Sequence, residues 1–109
     1  MARLPDLETE QSKATMILRT MGNSKRLRIL NELADRQERS VSELEKIIPT
    51  LIQSALSQHL LSLRRANIVR TRRSSQTIYY SIEDADVLRI LRLLTHIYID
   101  DPAMKKTRH

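Results

Sequence analysis

Between Gln53 and Ile82 this 109-residue chain carries five arginines, Arg64, Arg65, Arg70, Arg72 and Arg73, and no carboxylate, although thirteen Asp and Glu stand elsewhere. A cationic stretch of that length suits a polyanion; the competing reading is a solvated basic face. The flanks lack the bias: residues 1–52 hold nine basic and eight acidic side chains, and residues 83–109 five of each. Arg outnumbers Lys fourteen to five, which favours bidentate contacts with phosphates or base edges over diffuse attraction. Just ahead of the arginines, Gln53, Ser54, Ser57 and Gln58 are spaced to share one side of a helix. Glutamine can pair bidentately with adenine, and serine can donate or accept, so these four are candidates for base readout. Arg64 and Arg65 fall at the C-terminal end of the same segment, where they complement the helix dipole whether or not nucleic acid is present. His59 admits two roles, a hydrogen bond within the turn or a phosphate contact.

Other chemistries lack their residues. With no cysteine there are no disulfides, thiolate metal ligands, thiol switches or Cys nucleophiles. The single glycine, Gly22, leaves no glycine-rich phosphate loop, and Ser57-Gln58-His59 on one helical turn cannot assemble a triad. No enzymatic activity, cofactor or bound metal is expected. No run of 18 apolar residues is present to span a bilayer, and MARLPDLETEQ lacks the apolar stretch of a secretion signal, so the expected location is the cytoplasm.

The elements that would position these side chains follow from periodicity. The length suits one domain, expected at 8–101 between tails at 1–7 and 102–109. Sixteen Leu and eleven Ile with no Phe or Trp point to an aliphatic, helical core. Ala14, Ile17, Leu18 and Met21 predict a helix over 8–21, closed by Gly22. Asn23 and Ser24 supply a stop and a cap before a second helix over 24–35, with Leu27, Leu30, Leu33 and Ala34 inward. Arg39-Ser40-Val41 leaves room only for a short extended link. Ser42-Glu43-Leu44-Glu45 has the S-x-x-E spacing of a capping box and opens a third helix that buries Leu44 and either Ile47 or Ile48 before stopping near Pro49. After the turn Pro49-Thr50, a fourth helix starts at Ile52 or Gln53 and runs to Ala66 with Leu56, Leu60 and Leu63 inward. A short helix, a tight turn and a longer helix with a polar outer face describe a helix-turn-helix.

Beyond Asn67 the period drops from 3.6 to 2. Segments 68–73 and 76–82, rich in β-branched and aromatic residues, predict a hairpin. Its tip lacks Gly and Asn, so a turn longer than two residues is expected, with Arg73 to Gln76 all involved. On this wing Arg72, Arg73, Gln76 and Thr77 suit phosphate or minor-groove contacts. The last helix, 84–100, starts with acids that suit its dipole and carries Val87, Leu88, Ile90, Leu91, Leu93, Leu94, Ile97, Tyr98 and Ile99, too many for one face. A second copy of the chain is the economical cover, and a two-fold dimer is expected through Ile17, Met21, Leu91, Leu94, Ile97 and Tyr98. The fold class is therefore mainly α with a two-stranded β wing, a winged helix-turn-helix in the order helix-helix-(short strand)-helix-helix-strand-strand-helix.

That order resembles the ArsR-type family of bacterial winged-helix repressors. The local sequence agrees: MGNSKRLRILNEL (21–33) looks like the family's second helix, SVSEL (40–44) like the entry to its third, QSALSQHLLSLRRANIV (53–69) like its recognition helix and exit, and TRRSSQTIYYSI (71–82) like its wing. QSALSQHL, QTIYY and LTHIYIDD (94–101) look most like the branch of rhizobial nodulation-gene repressors, homodimers on inverted-repeat operators. One departure lies in the turn, where the family's Gly-Leu-Ser entry, capped by the Ser, is replaced by Pro49-Thr50-Leu51-Ile52; Thr50 is the nearest candidate cap. The family's metal and sulfur sensors are not matched: Ser40 and Ser42 stand where thiolates would, the terminal-helix metal positions become Asp84, Asp86, Ile97 and Asp100 with His96 out of register, and Asn31 and Ile99 replace a Cys pair.

The resemblance implies a sequence-specific DNA-binding transcriptional regulator, a homodimeric repressor on a palindromic operator in double-stranded DNA. Its base contacts would come from Gln53, Ser54, Ser57 and Gln58, and its backbone contacts from His59, Arg64, Arg65, Arg72, Arg73, Gln76 and Thr77. The alternative from a different class is a winged-helix protein-interaction module acting through its apolar terminal helix without an operator.

Overall fold

The computed structural model describes residues 12–35 and 37–100, the side chain of Asp100 excepted. The tails expected at 1–7 and 102–109 and the expected first-helix start at 8 lie outside the described residues. Among the described residues, five α-helices and a three-stranded antiparallel sheet form a winged helix. None of the described helices is long and apolar enough to cross a membrane.

Each helix begins where a short polar side chain can meet an orphan backbone N–H. In α1 (Lys13–Met21) the Ser12 hydroxyl accepts from the Thr15 N–H at 3.1 Å, and in α2 (Ser24–Leu33) the Asn23 side chain accepts from Lys25 and Arg26 N–H at 2.9 and 3.1 Å. The link Arg39–Ser40 is β1, and α3 (Val41–Ile47) follows it directly. The capping box lies two residues earlier than the S-x-x-E spacing of Ser42 and Glu45 suggested. Ser40 Oγ accepts from Glu43 N–H at 3.1 Å and the Glu43 carboxylate accepts from Ser40 N–H at 3.0 Å, which holds that carboxyl below its ordinary pKa. Two reciprocal boxes cannot coexist two residues apart, because Ser42 is already inside the helix.

Helix α4 (Gln53–Arg65) starts at Ile52, whose side chain makes no capping hydrogen bond, so Thr50 is not the cap. Its far end is closed by a Schellman turn. Ile68 N–H reaches Leu63 O and Asn67 N–H reaches Arg64 O, both at 3.0 Å, while Asn67 takes φ 58°, a left-handed conformation that asparagine tolerates. Ile68 and Leu63, the two apolar residues that accompany this motif, are both fully buried.

The Schellman turn delivers the chain into β2 (Val69–Ser74), which pairs with β3 (Thr77–Ile82). The sheet order is β1-β3-β2, because Arg39 and Ser40 pair with Tyr80 and Tyr79; the link expected to be merely extended is a third strand. Ser74 pairs with Thr77, so the tip is a two-residue turn of Ser75 and Gln76 and not the longer one expected. Ser75 alone supplies the positive φ, 58°, that such a turn needs at its first central position. Helix α5 (Ala85–Thr95) is capped by Asp84, which also pairs with Lys13 of α1 at 3.3 Å, and ends in a π-helical turn, His96–Asp100.

The core is one aliphatic cluster to which every helix contributes, with Ile29, Leu30, Leu33, Leu44, Leu56, Leu63, Ile68 and Val87 wholly removed from solvent. Ile29 replaces Leu27 on the innermost stripe of α2, and Ile48, not Ile47, is the buried member of its pair; Leu18, expected inward, is 60% exposed. Between α2 and α4 the Arg26 guanidinium uses all three nitrogens, donating at 3.3 Å each to His59 Nδ1, Ser62 Oγ and the Thr20 carbonyl. Burial first, and the positive charges of Arg26 and Lys25 next, lower the His59 pKa from its ordinary 6.5, so the imidazole is held neutral as an acceptor.

Ser40→Ala is expected to cost about 1 kcal/mol in chemical denaturation, while Ser42→Ala stays within about 0.5 kcal/mol; equal costs would refute the observed box. A folded-state pKa below the unfolded one gives stability that is complete above the unfolded value near 6.5 and is lost as pH falls through the folded value. Wild-type Tm should therefore drop more between pH 7.5 and 5 than that of His59→Gln, whose amide accepts without titrating. Parallel Tm profiles would contradict the Arg26–His59 bond.

Candidate nucleic-acid interface

With Leu56, Leu60 and Leu63 inward, α4 presents Gln53, Ser54, Ser57 and Gln58 to solvent, and Leu61, 41% exposed, lies among them. Arg64 and Arg65 follow at the C-terminal end, also exposed, and neither makes an ion pair among the described residues. The acid-free run thus becomes a continuous outer face: amides and hydroxyls over the first half of the helix, cations over the second. Such a face can offer directional hydrogen bonds to base edges and charge to phosphates.

His59 departs from that face. Its half-buried ring meets α2, where Nδ1 accepts from Arg26, a contact of the structural kind, the first of its two expected roles. The residues responsible, Arg26 and Ser62, carry no local signal, since the partners are separated by 33 and 36 positions.

The wing divides its arginines by strand parity. Arg70 and Arg72 share one face and Arg73 lies on the other, opposite Ile78. Arg70 donates to Ser81 Oγ at 3.4 Å across the strand pair. Arg72 lies over the Tyr79 ring, 4.9 Å from its centroid, and donates to both carboxylate oxygens of Glu38 at 2.7 and 3.0 Å. The hydrogen bond to Glu38 and then its charge raise the Arg72 pKa. Arg72, expected to contact phosphate or the minor groove, thus has an anionic partner within its own chain. Glu38 lies 34 residues upstream and reaches Arg72 only because β1 pairs with β3, beside β2. Arg73, whose Nε donates to the Ser75 carbonyl at 3.1 Å, remains exposed at the tip with Gln76 and Thr77.

The expected dimer residues fall into two groups. Ile17, Met21 and Leu91 are 6%, 3% and 5% exposed within one chain, where the core already covers them. Leu94 and Ile97 are half-buried and Tyr98 is 50% exposed. Leu18, Leu93 and Ile99, absent from the expected set, are 60%, 57% and 42% exposed. Helical periodicity shows how many apolar residues exceed one face but not which of them the chain itself covers.

The sequence profile of the arsR family of bacterial regulatory proteins matches residues 23–71, from the cap of α2 into β2. The transcriptional activator HlyU of Vibrio cholerae is 42% identical over 95 residues, 87% of this chain and 86% of that protein. Its solved structure, in reduced form, superposes with a TM-score of 0.77 over 88% of this chain and 99% of that one. The nodulation protein NolR of Rhizobium meliloti is 46% identical over 97 residues, covering 89% and 78% of the two chains. A homodimeric winged helix-turn-helix DNA-binding domain from Mycobacterium bovis, 25% identical, superposes with a TM-score of 0.75 over 100% of this chain and 98% of its own. With identity above 40% across most of both HlyU and this chain, and the same arrangement of helices and wing, the chain belongs to the arsR family of bacterial regulatory proteins, transcriptional regulators and not enzymes.

Proposed function

We propose that two copies of the chain bind an inverted-repeat site in double-stranded DNA, each laying α4 in the major groove. The observation that carries this reading is the outer face of α4, on which Gln53, Ser54, Ser57 and Gln58 stand exposed and lead into Arg64 and Arg65, exposed cations without an ion pair among the described residues. The four polar residues read base edges. Arg64, Arg65 and the tip residues Arg73, Gln76 and Thr77 meet the backbone, and His59 and Arg72 act through Arg26 and Glu38. Two recognition helices one helical turn apart span successive major grooves, and a dimer seated on a promoter excludes polymerase by its bulk. The setting is the bacterial cytoplasm, where the chromosome lies.

The dimer is supported by the homodimeric relative and by the apolar surface at the end of α5, where Leu93, Tyr98 and Ile99 are exposed. No observation favours a protein-interaction module over this arrangement, since the same apolar residues serve pairing of the chain with itself.

Gel shifts on duplexes selected from bacterial genomic DNA test the docking. Gln58→Ala should lower discrimination against mismatched bases by about 1–3 kcal/mol, whereas Arg73→Ala should weaken all sequences alike and flatten the slope of log K against log salt by about one. Unchanged binding in both variants would exclude it. Sedimentation tests the pairing: the wild type should run as a dimer, and Tyr98→Glu should halve the mass and reduce operator affinity more than tenfold. A wild-type monomer at micromolar concentration would end the two-fold arrangement.

A further inference from the structure

The first residue of the recognition helix is chemically out of place. Ile52 holds the N-cap position of α4 in extended conformation, φ −72° and ψ 156°, and its carbonyl accepts the opening helical bond from Leu56 N–H at 3.0 Å. A Ser, Thr, Asp or Asn there would also satisfy an orphan N–H; isoleucine satisfies none. Its side chain does not compensate by burial. Leu51 beside it is 7% exposed and belongs to the core, but Ile52 is 69% exposed, more than any other large hydrophobic among the described residues. Cap and burial are thus both lost at one position, beside Gln53 and Ser54.

We propose that Ile52 is a specificity-determining residue that packs against the C5 methyl group of a thymine in each half-site. The inference rests on the DNA reading above, which sets α4 in the major groove. In that geometry the N-terminal residues of the recognition helix lie nearest the base edges. Among the groups displayed on the floor of the major groove, the thymine methyl is the one apolar substituent that projects far enough to pack against a side chain. An apolar side chain directed there therefore has a single complementary partner. Isoleucine is suited to it, because a β-branched side chain is stiff at χ1 and loses little freedom on contact. Leu61 is also exposed on α4, but it stands nine residues further along, next to Arg64 and Arg65 at the phosphate-facing end.

The test uses the full-length protein and the duplex it enriches from fragmented genomic DNA, with each thymine in turn replaced by deoxyuridine, which lacks only the methyl. At one position in each half-site this replacement should weaken wild-type binding about fourfold, the equivalent of one buried methyl group at about 0.8 kcal/mol. Ile52→Ser should bind the thymine and deoxyuridine duplexes alike. Its Tm should equal or exceed that of the wild type, since the serine supplies the missing cap, and this separates lost recognition from lost folding. Indifference of the wild type to every deoxyuridine, or retained sensitivity in Ile52→Ser, would overturn the assignment while leaving DNA binding intact. Failure to enrich any duplex would bring down the DNA reading itself, and the thymine contact with it.

Discussion

The rotation of α4 about its own axis governs the rest of this molecule, and the hydrophobic effect sets it. Leu56, Leu60 and Leu63 are almost wholly removed from water in the same cluster as Leu30, Leu33, Leu44 and Ile68. Burying each such side chain contributes about 1.5–3 kcal/mol, so turning the helix by a third of a revolution would expose several of them and bury glutamine in their place. No hydrogen bond on the outer surface competes with that penalty. The side chains offered to a ligand are those the core has rejected, and their common direction is a consequence of packing.

Polar contacts then refine what packing has placed. Arg26 ties α4 to α2 through His59 and Ser62, and the Schellman turn at Asn67 joins α4 directly to β2. Both devices bear on α4 from its inner side, so its outer face stays free. The pairing of Arg72 with Glu38 works differently. The two side chains are 55% and 37% exposed, and solvent screens an ion pair this wet. It sets the resting direction of the arginine over Tyr79 and adds little to stability.

Charge on the wing is accordingly less uniform than a row of arginines suggests. Strand alternation sends Arg73 to one side of the sheet and Arg70 and Arg72 to the other, and an acid from the far side of β1 neutralises one of them. Arg64 and Arg65 make no ion pair among the described residues, and they also sit where the helix dipole is negative. A face that combines exposed cations with exposed amides and hydroxyls offers both charge and directional hydrogen bonds, the two kinds of contact a polyanion with base edges can use.

The winged-helix order, the inward stripe of α4 and the four polar residues opposite it were legible in the sequence, because helix and strand periods of 3.6 and 2 are local properties that a dozen residues display. The acid-free run was legible for the same reason, since charge needs no fold to be counted. Tertiary structure alone decided what depended on residues distant in the chain or on competing local options. The capping box went to Ser40, which β-pairing with Tyr79 held extended, and not to Ser42, whose spacing was equally good. Glu38 met Arg72 and Arg26 met His59 across more than thirty residues each, and Ile17, Met21 and Leu91 were covered by their own chain. Periodicity names the face on which a side chain lies; only the assembled neighbours determine what that face touches.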